Sequence, residues 1–228
     1  MTIDIRGRWA LVTGASRGVG AQIAGGLAQL GCNLALHSRE LAHTEKVGAE
    51  LRKHGVRVVA LEAELSRMSD VDRLVDQALE IAGIDILINN AAVMTPYRKA
   101  WLTTPPEDYR HCFEVNVLAP IRITYGMLPQ MQARGFGRIV QVTSGIAHEP
   151  ELMAYAASKA ALDKFVRDTA PSLSGSGVLM NLLDPGWVRT DMGGASAPGA
   201  VESVLPGALE PVLVDGDVQG KLFSAQHR

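Results

Sequence analysis

The chain has 228 residues, of which 47% are hydrophobic and 20% charged, and its formal net charge is −2. That length suits a single α/β domain. With a near-neutral charge, the chain lacks the excess of basic residues expected of a nucleic-acid-binding protein. Two cysteines exclude a disulfide framework, while the charged N-terminus and the lack of any apolar run near about 18 residues predict a cytoplasmic protein with no membrane segment.

Short apolar runs alternate with helical patterns along the chain. A buried strand is predicted at residues 9–12, and the apolar spacing of residues 19–30 predicts a helix that ends at Gly31. Two further helices are predicted, one ending at Arg52 and one over residues 71–82. Further strands are predicted at residues 33–37, 56–61, 84–88, 138–142, 180–183 and 218–224. Apolar strands separated by helices are typical of a parallel sheet covered on both faces, so residues 1–228 are predicted to form one doubly wound, Rossmann-like α/β domain.

A glycine-rich turn, residues 13–20, joins the first strand to the first helix. Gly14 permits a turn that a Cβ would obstruct, while Gly18 and Gly20 let the main chain approach a pyrophosphate and the helix pack close to the strand. The helix N-terminus offers free N–H groups to the same anion. Because the turn lies between a strand and a helix, it is predicted to bind a dinucleotide. Its predicted cofactor contacts are Gly14, Ser16, Arg17, Gly18, Val19 and Gly20.

The spacing of this turn, G-x-x-x-G-x-G, resembles that of the short-chain dehydrogenase/reductase family. Further motifs of that family follow in its order within residues 9–192: Asn89-Asn90-Ala91-Ala92, Asn116, Thr143-Ser144, Tyr155 with Lys159, and Pro185-Gly186 with Thr190. The resemblance implies hydride transfer between a nicotinamide cofactor and a carbonyl or alcohol. It assigns catalysis to Asn116, Ser144, Tyr155 and Lys159. It adds as cofactor contacts Glu64, Leu65, Asn90, Ala91, Tyr155, Lys159, Pro185, Gly186, Val188 and Thr190.

Reduction of a carbonyl needs a proton donor as well as a hydride. Tyr155 and Lys159 are four residues apart, so a helix places both on one face. A free tyrosine has a pKa of about 10, and a nearby ammonium is expected to lower the pKa of Tyr155 toward neutrality. The resemblance implies that Lys159 also holds the nicotinamide ribose. The alternative is a core tyrosine beside a solvated lysine, which the other motifs disfavour.

Ser144 and Asn116 are expected to complete the catalytic set. Ser144 is predicted to donate a hydrogen bond to the substrate oxygen, with Thr143 as the rival hydroxyl. If Asn116 and Pro120 share a helix, the proline lacks the N–H that would bond the carbonyl of Asn116, which needs another partner such as a water. In the family the equivalent carbonyl holds a water of a proton relay, and a plain proline kink is the alternative.

The end of the second strand predicts which nicotinamide cofactor is used. NAD-selective enzymes of this fold have an acidic residue there, whereas this chain has Ser38. Arg39 follows directly and Arg17 lies in the glycine-rich turn, so two guanidiniums are expected to converge on a 2′-phosphate. NADP(H) is therefore predicted over NAD(H).

These residues together predict an NADPH-dependent carbonyl reductase acting on a small-molecule substrate. The alternatives are an NAD-dependent alcohol or sugar dehydrogenase and a nucleotide-sensing protein without turnover. Neither the histidines nor the cysteines have the spacing of a metal site. The resemblance implies a homo-oligomer, either a dimer or a tetramer. Residues 191–217 are expected to form a short, mobile lid over the nicotinamide, with a plain surface loop as the alternative.

Overall fold

Seven parallel strands form one sheet in the computed structural model, which describes residues 2–226. The strands are β1 (Trp9–Val12), β2 (Asn33–Ser38), β3 (Val58–Glu62), β4 (Ile86–Asn89), β5 (Gly137–Val142), β6 (Val178–Asp184) and β7 (Leu222–Ser224). Their order across the sheet is β3-β2-β1-β4-β5-β6-β7, and the direction of winding reverses between β1 and β4. The predicted doubly wound α/β fold is confirmed, and such sheets bind ligands at the carboxyl ends of the strands near the reversal.

Helices cover both faces of the sheet. They are α1 (Gly18–Gln29), α2 (Ala42–Arg52), α3 (Met68–Ile81), α4 (Pro106–Phe113), α5 (Ala119–Ala133), α6 (Met153–Thr169) and α7 (Glu210–Leu213). A π-helical turn, Glu114–Leu118, joins α4 to α5. As predicted, Gly31 follows the end of α1, and its φ of 81° is a left-handed conformation that glycine adopts without strain.

The core lies in two layers, one on each face of the sheet. Successive strand residues point to opposite faces, so Ala10 and Val12 join one layer while Trp9 and Leu11 join the other. The first layer is closed by α1, α2 and the C-terminal segment, and the second by α3, α5 and α6. This arrangement leaves the carboxyl ends of β1, β4, β5 and β6 open to one cleft.

β3 and β4 begin later than their apolar runs predict, because side chains form hydrogen bonds with the backbone groups that precede these strands. The carbonyl of Ile84 accepts hydrogen bonds from Gln130 and Arg134, so β4 starts at Ile86 rather than at residue 84. Before β3, the N–H of Arg57 donates to the side chain of Asn33, and β3 starts at Val58 rather than at residue 56. The last strand is shorter than the predicted 218–224 and pairs with β6 only over 222–224.

The segment after residue 200 corrects the predicted extent of the lid. Residues 201–213 form two 3-10 turns and α7, and they bury Val204, Ala208, Leu209 and Val212 in the first core layer. A Cβ added to Gly26 on α1 would lie 2.8 Å from Leu209 Cδ1, which shows how closely the segment packs on that helix. Residues 201–213 are therefore packed and ordered rather than a mobile loop, although Val201 also lines the cavity. A lid formed by residues 191–200 stays a prediction.

Candidate active site

A cavity of about 730 Å³ opens at the carboxyl ends of the strands. Fifteen predicted residues line it: Gly14, Ser16, Arg17, Gly18, Val19, Ser38, Arg39, Glu64, Leu65, Asn90, Ala91, Tyr155, Lys159, Pro185 and Thr190. Gly20, Gly186, Val188, Asn116 and Ser144 lie outside that lining. The structure thus brings the glycine-rich turn and the tyrosine–lysine pair to one cavity, although they are far apart in the sequence.

The glycine-rich turn has the conformation that its composition predicts. Gly14 and Gly18 have φ values of 65° and 59°, in the left-handed region. A Cβ on Gly14 would lie 2.9 Å from Ala91 Cα, and one on Gly20 would collide with the carbonyl of Gly14. Gly20 therefore permits the close packing of α1 against the turn, and the binding of a pyrophosphate at the start of α1 stays a prediction.

Buried polar groups that the sequence reasoning missed hold this turn in place. His37, at 2% exposure, accepts a hydrogen bond from Gly14 N at Nδ1 (3.3 Å), and its Nε2 lies 3.1 Å from the carbonyl of Ala63. With Nε2 protonated, the neutral ring satisfies both partners, and burial lowers the pKa of His37 below its usual value. The only sequence signal was a histidine inside an otherwise apolar strand.

Asn90 and Thr13 tie the turn to the end of β4. Asn90 Nδ2 donates to the carbonyls of Thr13 and Gly14, at 2.9 and 3.1 Å. Thr13 Oγ1 accepts from the N–H groups of Asn90 and Ala91, both at 3.0 Å. The predicted cofactor residue Asn90 thus acts on the shape of the cavity, because its amide is engaged by the turn.

The region expected to recognise a 2′-phosphate is polar and exposed. Ser38 Oγ donates to the carbonyl of Glu40 at 2.5 Å, and Arg39 is exposed at the rim of the cavity. Arg17 Nε, in contrast, pairs with Asp191 Oδ2 at 2.9 Å across the mouth of the cavity. His43, which the sequence reasoning did not include, also lines this end. The convergence of Arg17 and Arg39 on one phosphate stays a prediction.

Glu64 has its own local partner. Its Oε1 accepts hydrogen bonds from the N–H and the hydroxyl of Ser66, both at 3.1 Å. This carboxylate oxygen closes the turn before α3, while Glu64 and Leu65 still line the cavity. Its predicted contact with adenine stays a prediction.

Tyr155 and Lys159 lie on one face of α6, as their spacing predicts, but the electrostatics differ from the expectation. Lys159 Nζ donates to the carbonyl of Val142 at 2.8 Å and lies 5.8 Å from the centre of the Tyr155 ring. Burial lowers the pKa of Lys159 to about 8. Burial also raises the pKa of Tyr155, a hydrogen bond with Ser144 opposes that rise, and the charge of Asp184 adds to it. This direction is opposite to the expected lowering of the tyrosine pKa, because burial disfavours the phenolate more than the hydrogen bond with Ser144 favours it.

The two rival hydroxyls have different partners. Thr143 lines the cavity, but its buried Oγ1 donates to Asp163 Oδ1 at 2.5 Å, so its proton is already engaged. Ser144 is half-buried, accepts a hydrogen bond from Ile146 N at 3.2 Å and lies beside the hydroxyl of Tyr155. These contacts favour Ser144 as the hydroxyl that meets the substrate.

Asn116 lies in the π-helical turn, one turn before Pro120. The widened ladder is seen in the bond from Ala119 N to the carbonyl of Glu114. The fully buried side chain of Asn116 accepts from Val93 N (2.8 Å) and donates to the carbonyl of Val93 and to Ser158 Oγ, both at 2.9 Å. It therefore clamps the loop after β4 to α6. The π-helical turn was not predicted, and the unpaired carbonyl of Asn116 and its water relay stay predictions.

Comparisons with known proteins identify the family of this chain. The model of the short chain dehydrogenase family matches residues 8–200. The chain belongs to this family. It is 32% identical to an NADPH-dependent aldehyde reductase-like chloroplastic protein of Arabidopsis thaliana, over 83% of this chain and 76% of that protein. It is also 36% identical to dehydrogenase/reductase SDR family member 4 of Bos taurus, over 79% of this chain and 66% of that protein.

The chain also resembles a solved structure of a reductase. A 3-oxoacyl (acyl-carrier-protein) reductase of Agrobacterium tumefaciens C58, crystallised with NADP bound, superposes with a TM-score of 0.86 at 31% identity. The match covers 96% of this chain and 93% of that one.

Within residues 2–226, no helix combines the length and apolarity needed to cross a membrane. In the same range, no group of three or more His, Cys, Asp or Glu side chains is arranged to hold a metal ion.

Proposed function

We propose that this chain is an NADP(H)-dependent carbonyl reductase in which Tyr155 is the general acid. The observation that carries the proposal is that Tyr155 and Lys159 line the cavity together, with the Ser144 hydroxyl next to that of Tyr155. The glycine-rich turn lies at the other end of the same cavity. A dinucleotide laid along the cavity would have its pyrophosphate at this turn and its nicotinamide beside Tyr155.

The proton chemistry follows from the burial of the site. When bound, the reduced nicotinamide supplies the hydride to the carbonyl carbon. Ser144 and Tyr155 then donate hydrogen bonds to the carbonyl oxygen, where negative charge grows, and Tyr155 transfers its proton. Because burial raises its pKa, Tyr155 keeps its proton at neutral pH, which suits an acid. Lys159, held against the carbonyl of Val142, places its ammonium beside the phenol and would bind the ribose hydroxyls.

The preference for NADP(H) is supported at the end of β2. Ser38 and the exposed Arg39 stand where an acidic residue would repel a 2′-phosphate. The relatives named for NADPH or solved with NADP support the same choice. An NAD-dependent dehydrogenase would need a carboxylate at this point, and neither Ser38 nor Arg39 supplies one.

The test is the oxidation of NADPH and of NADH, followed by absorbance, with a panel of aldehydes and ketones. We expect carbonyl-dependent oxidation of NADPH at a kcat/KM at least tenfold above that for NADH, since charge-assisted hydrogen bonds contribute about 1.5–3 kcal/mol each. Binding of NADPH without turnover of any carbonyl would point to a nucleotide-sensing protein. Faster turnover with NADH would favour an alcohol or sugar dehydrogenase.

The chain is also proposed to pair with copies of itself through α5 and α6. Leu118, at the end of the π-helical turn that leads into α5, and Tyr125, on α5, are 49% and 54% exposed. Large exposed apolar groups favour association. Light scattering after size-exclusion chromatography should give a dimer or tetramer, and a monomer at micromolar concentration would contradict this assembly.

A further inference from the structure

A carboxylate that the catalytic scheme does not use lies beside Gly145, the residue that follows Ser144. Asp184 ends β6, next to the strand that leads into Thr143 and Ser144. Its Oδ1 accepts a hydrogen bond from Gly186 N at 2.9 Å, which fixes the orientation of the group. Its Oδ2 lies 2.7 Å from where a Cβ on Gly145 would be, so a side chain at residue 145 would collide with it.

This position places a negative charge beside the loop that carries Ser144. Gly145 follows Ser144, and the carbonyl oxygen of a substrate must lie between the hydroxyls of Ser144 and Tyr155. The charge of Asp184 also raises the pKa of Tyr155. A substrate held by the two hydroxyls would therefore meet the field of this carboxylate.

The carboxylate is not neutralised by an ion pair. Within residues 2–226, no Lys, Arg or His nitrogen lies within 4.0 Å of its oxygens. Arg189, a neighbour in the sequence, instead donates to the carbonyls of Ala197 and Pro198. Lys159 is bound to the carbonyl of Val142. An anionic group attached to the reacting carbonyl would thus approach a carboxylate that has no ion-pair partner.

We propose that Asp184 is a specificity-determining residue that makes the site select neutral or cationic carbonyl compounds over anionic ones. The proposal rests on the carbonyl reductase function proposed above. It separates substrates such as esters, ketones and amino ketones from keto acids and phosphorylated carbonyls. One like-charge contact at about 4 Å, even in water, disfavours the anion roughly fivefold, and partial burial increases that factor.

The experiment compares phenylglyoxylate with its methyl ester, which share the reacting ketone and differ in charge. The kcat/KM of each with NADPH is measured for the parent chain, for Asp184→Asn and for Asp168→Asn. The Asp184→Asn change keeps an acceptor for Gly186 N and removes only the charge. Asp168, an exposed residue paired with Lys164 near the end of α6, is the matched control.

We expect Asp184→Asn to raise the ratio of anion to ester kcat/KM at least fivefold and Asp168→Asn to leave it unchanged. Any change in the acidity of Tyr155 affects both substrates and cancels in the ratio. In the parent chain, raising the ionic strength from about 0.02 to 0.5 M should narrow the discrimination, because salt screens the repulsion. The same ratio in Asp184→Asn as in the parent would overturn the proposal.

A second readout separates this proposal from the proposed function. The dissociation constants of the two compounds for the chain saturated with NADP⁺ are measured by calorimetry. If neither compound is reduced by the parent, the carbonyl reductase function fails for this substrate pair, and the binding ratio still tests Asp184. A binding ratio that is insensitive to Asp184→Asn would contradict the role of the carboxylate whatever the turnover.

Discussion

The two ends of the cavity are built in different ways. At the cofactor end, the backbone of the glycine-rich turn is held by buried side chains, His37 and Asn90, each with two or more hydrogen-bond partners. At the substrate end, Ser144 and Gly145 lie on a loop, and Asp184 has a carboxylate oxygen without an ion-pair partner. The cofactor end is rigid because its polar groups satisfy one another, whereas the substrate end leaves its polar groups for a ligand.

This difference predicts that substitutions at the two ends of the cavity have unlike effects. A change at His37 or Gly14 leaves a buried group without a partner or forces a collision, so the cofactor end tolerates little variation. A change at residue 184 alters one charge and leaves the packing intact. The predictions below test this contrast, from the largest expected effect to the smallest.

Replacing Tyr155 by Phe should abolish turnover and leave the affinity for NADPH nearly unchanged. Only the hydroxyl is deleted, and general acid catalysis typically contributes ~10²–10⁴-fold, so kcat should fall by that order. Steady-state kinetics and fluorescence titration with NADPH measure the two quantities. The control is Tyr125→Phe, which should leave kcat unchanged. The Tyr125 ring packs edge-on against Phe165 on the outside of α6. Activity of Tyr155→Phe within a few-fold of the parent would remove Tyr155 from the mechanism.

Replacing Arg39 by Asp should move the cofactor preference from NADP(H) toward NAD(H). The change puts a carboxylate where a 2′-phosphate is expected and removes a charge-assisted bond of roughly 1.5–3 kcal/mol, so the ratio of kcat/KM values should change at least tenfold. The two cofactors are compared at fixed substrate concentration. The control is Arg110→Asp on α4, an exposed arginine outside the cavity lining. An unchanged ratio would mean that Arg39 points elsewhere.

The fold and the catalytic pair were predictable because local spacing decides them. Alternating apolar runs specify the parallel sheet, and a four-residue interval places Tyr155 and Lys159 on one face of α6. The partners of Thr143 and Gly14 were not predictable, because Asp163 and His37 reach them from other elements. The raised pKa of Tyr155 depends on burial, which spacing does not reveal. Residues 201–213 looked like a loop because their short turns owe their order to packing on α1 rather than to helix propensity.

Replacing His37 by Gln should weaken the cofactor end and change its response to pH. The neutral ring is buried with a lowered pKa, so the unfolded chain binds a proton near pH 6.5 that the folded chain excludes. Stability of the parent should therefore be full above about pH 6.5 and should fall as the pH drops below it, because the unfolded state then binds more protons. A glutamine side chain cannot titrate, so part of this loss should disappear in His37→Gln, while the affinity for NADPH falls several-fold at pH 7.5.

Urea unfolding at pH 5.5 and 7.5 measures this difference. His54→Gln is the matched control, since His54 is exposed at the opposite end of the sheet. Its pH dependence should equal that of the parent. Equal pH dependence in His37→Gln and the parent would show that His37 is protonated to the same extent in both states.

Replacing Asp191 by Asn should have the smallest effect, and it tests whether residues 191–200 act as a lid. The Arg17–Asp191 pair joins the glycine-rich turn to the start of this segment, but both side chains are mostly exposed, at 64% and 75%, and such pairs contribute about 0–1 kcal/mol. Removing the carboxylate frees Arg17 for a 2′-phosphate and withdraws a like charge from it, so NADPH should bind two- to fivefold more tightly while NADH changes less. Asp72→Asn, which breaks the similarly exposed pair with Arg122, should change neither affinity.

Hydrogen exchange over residues 192–200 tests the lid directly. If the segment closes over the cavity, NADP⁺ with a substrate analogue should increase protection in the parent. Equal protection with and without ligands, together with unchanged NADPH affinity in Asp191→Asn, would leave this segment as a surface loop and confine recognition of the cofactor to the rigid end.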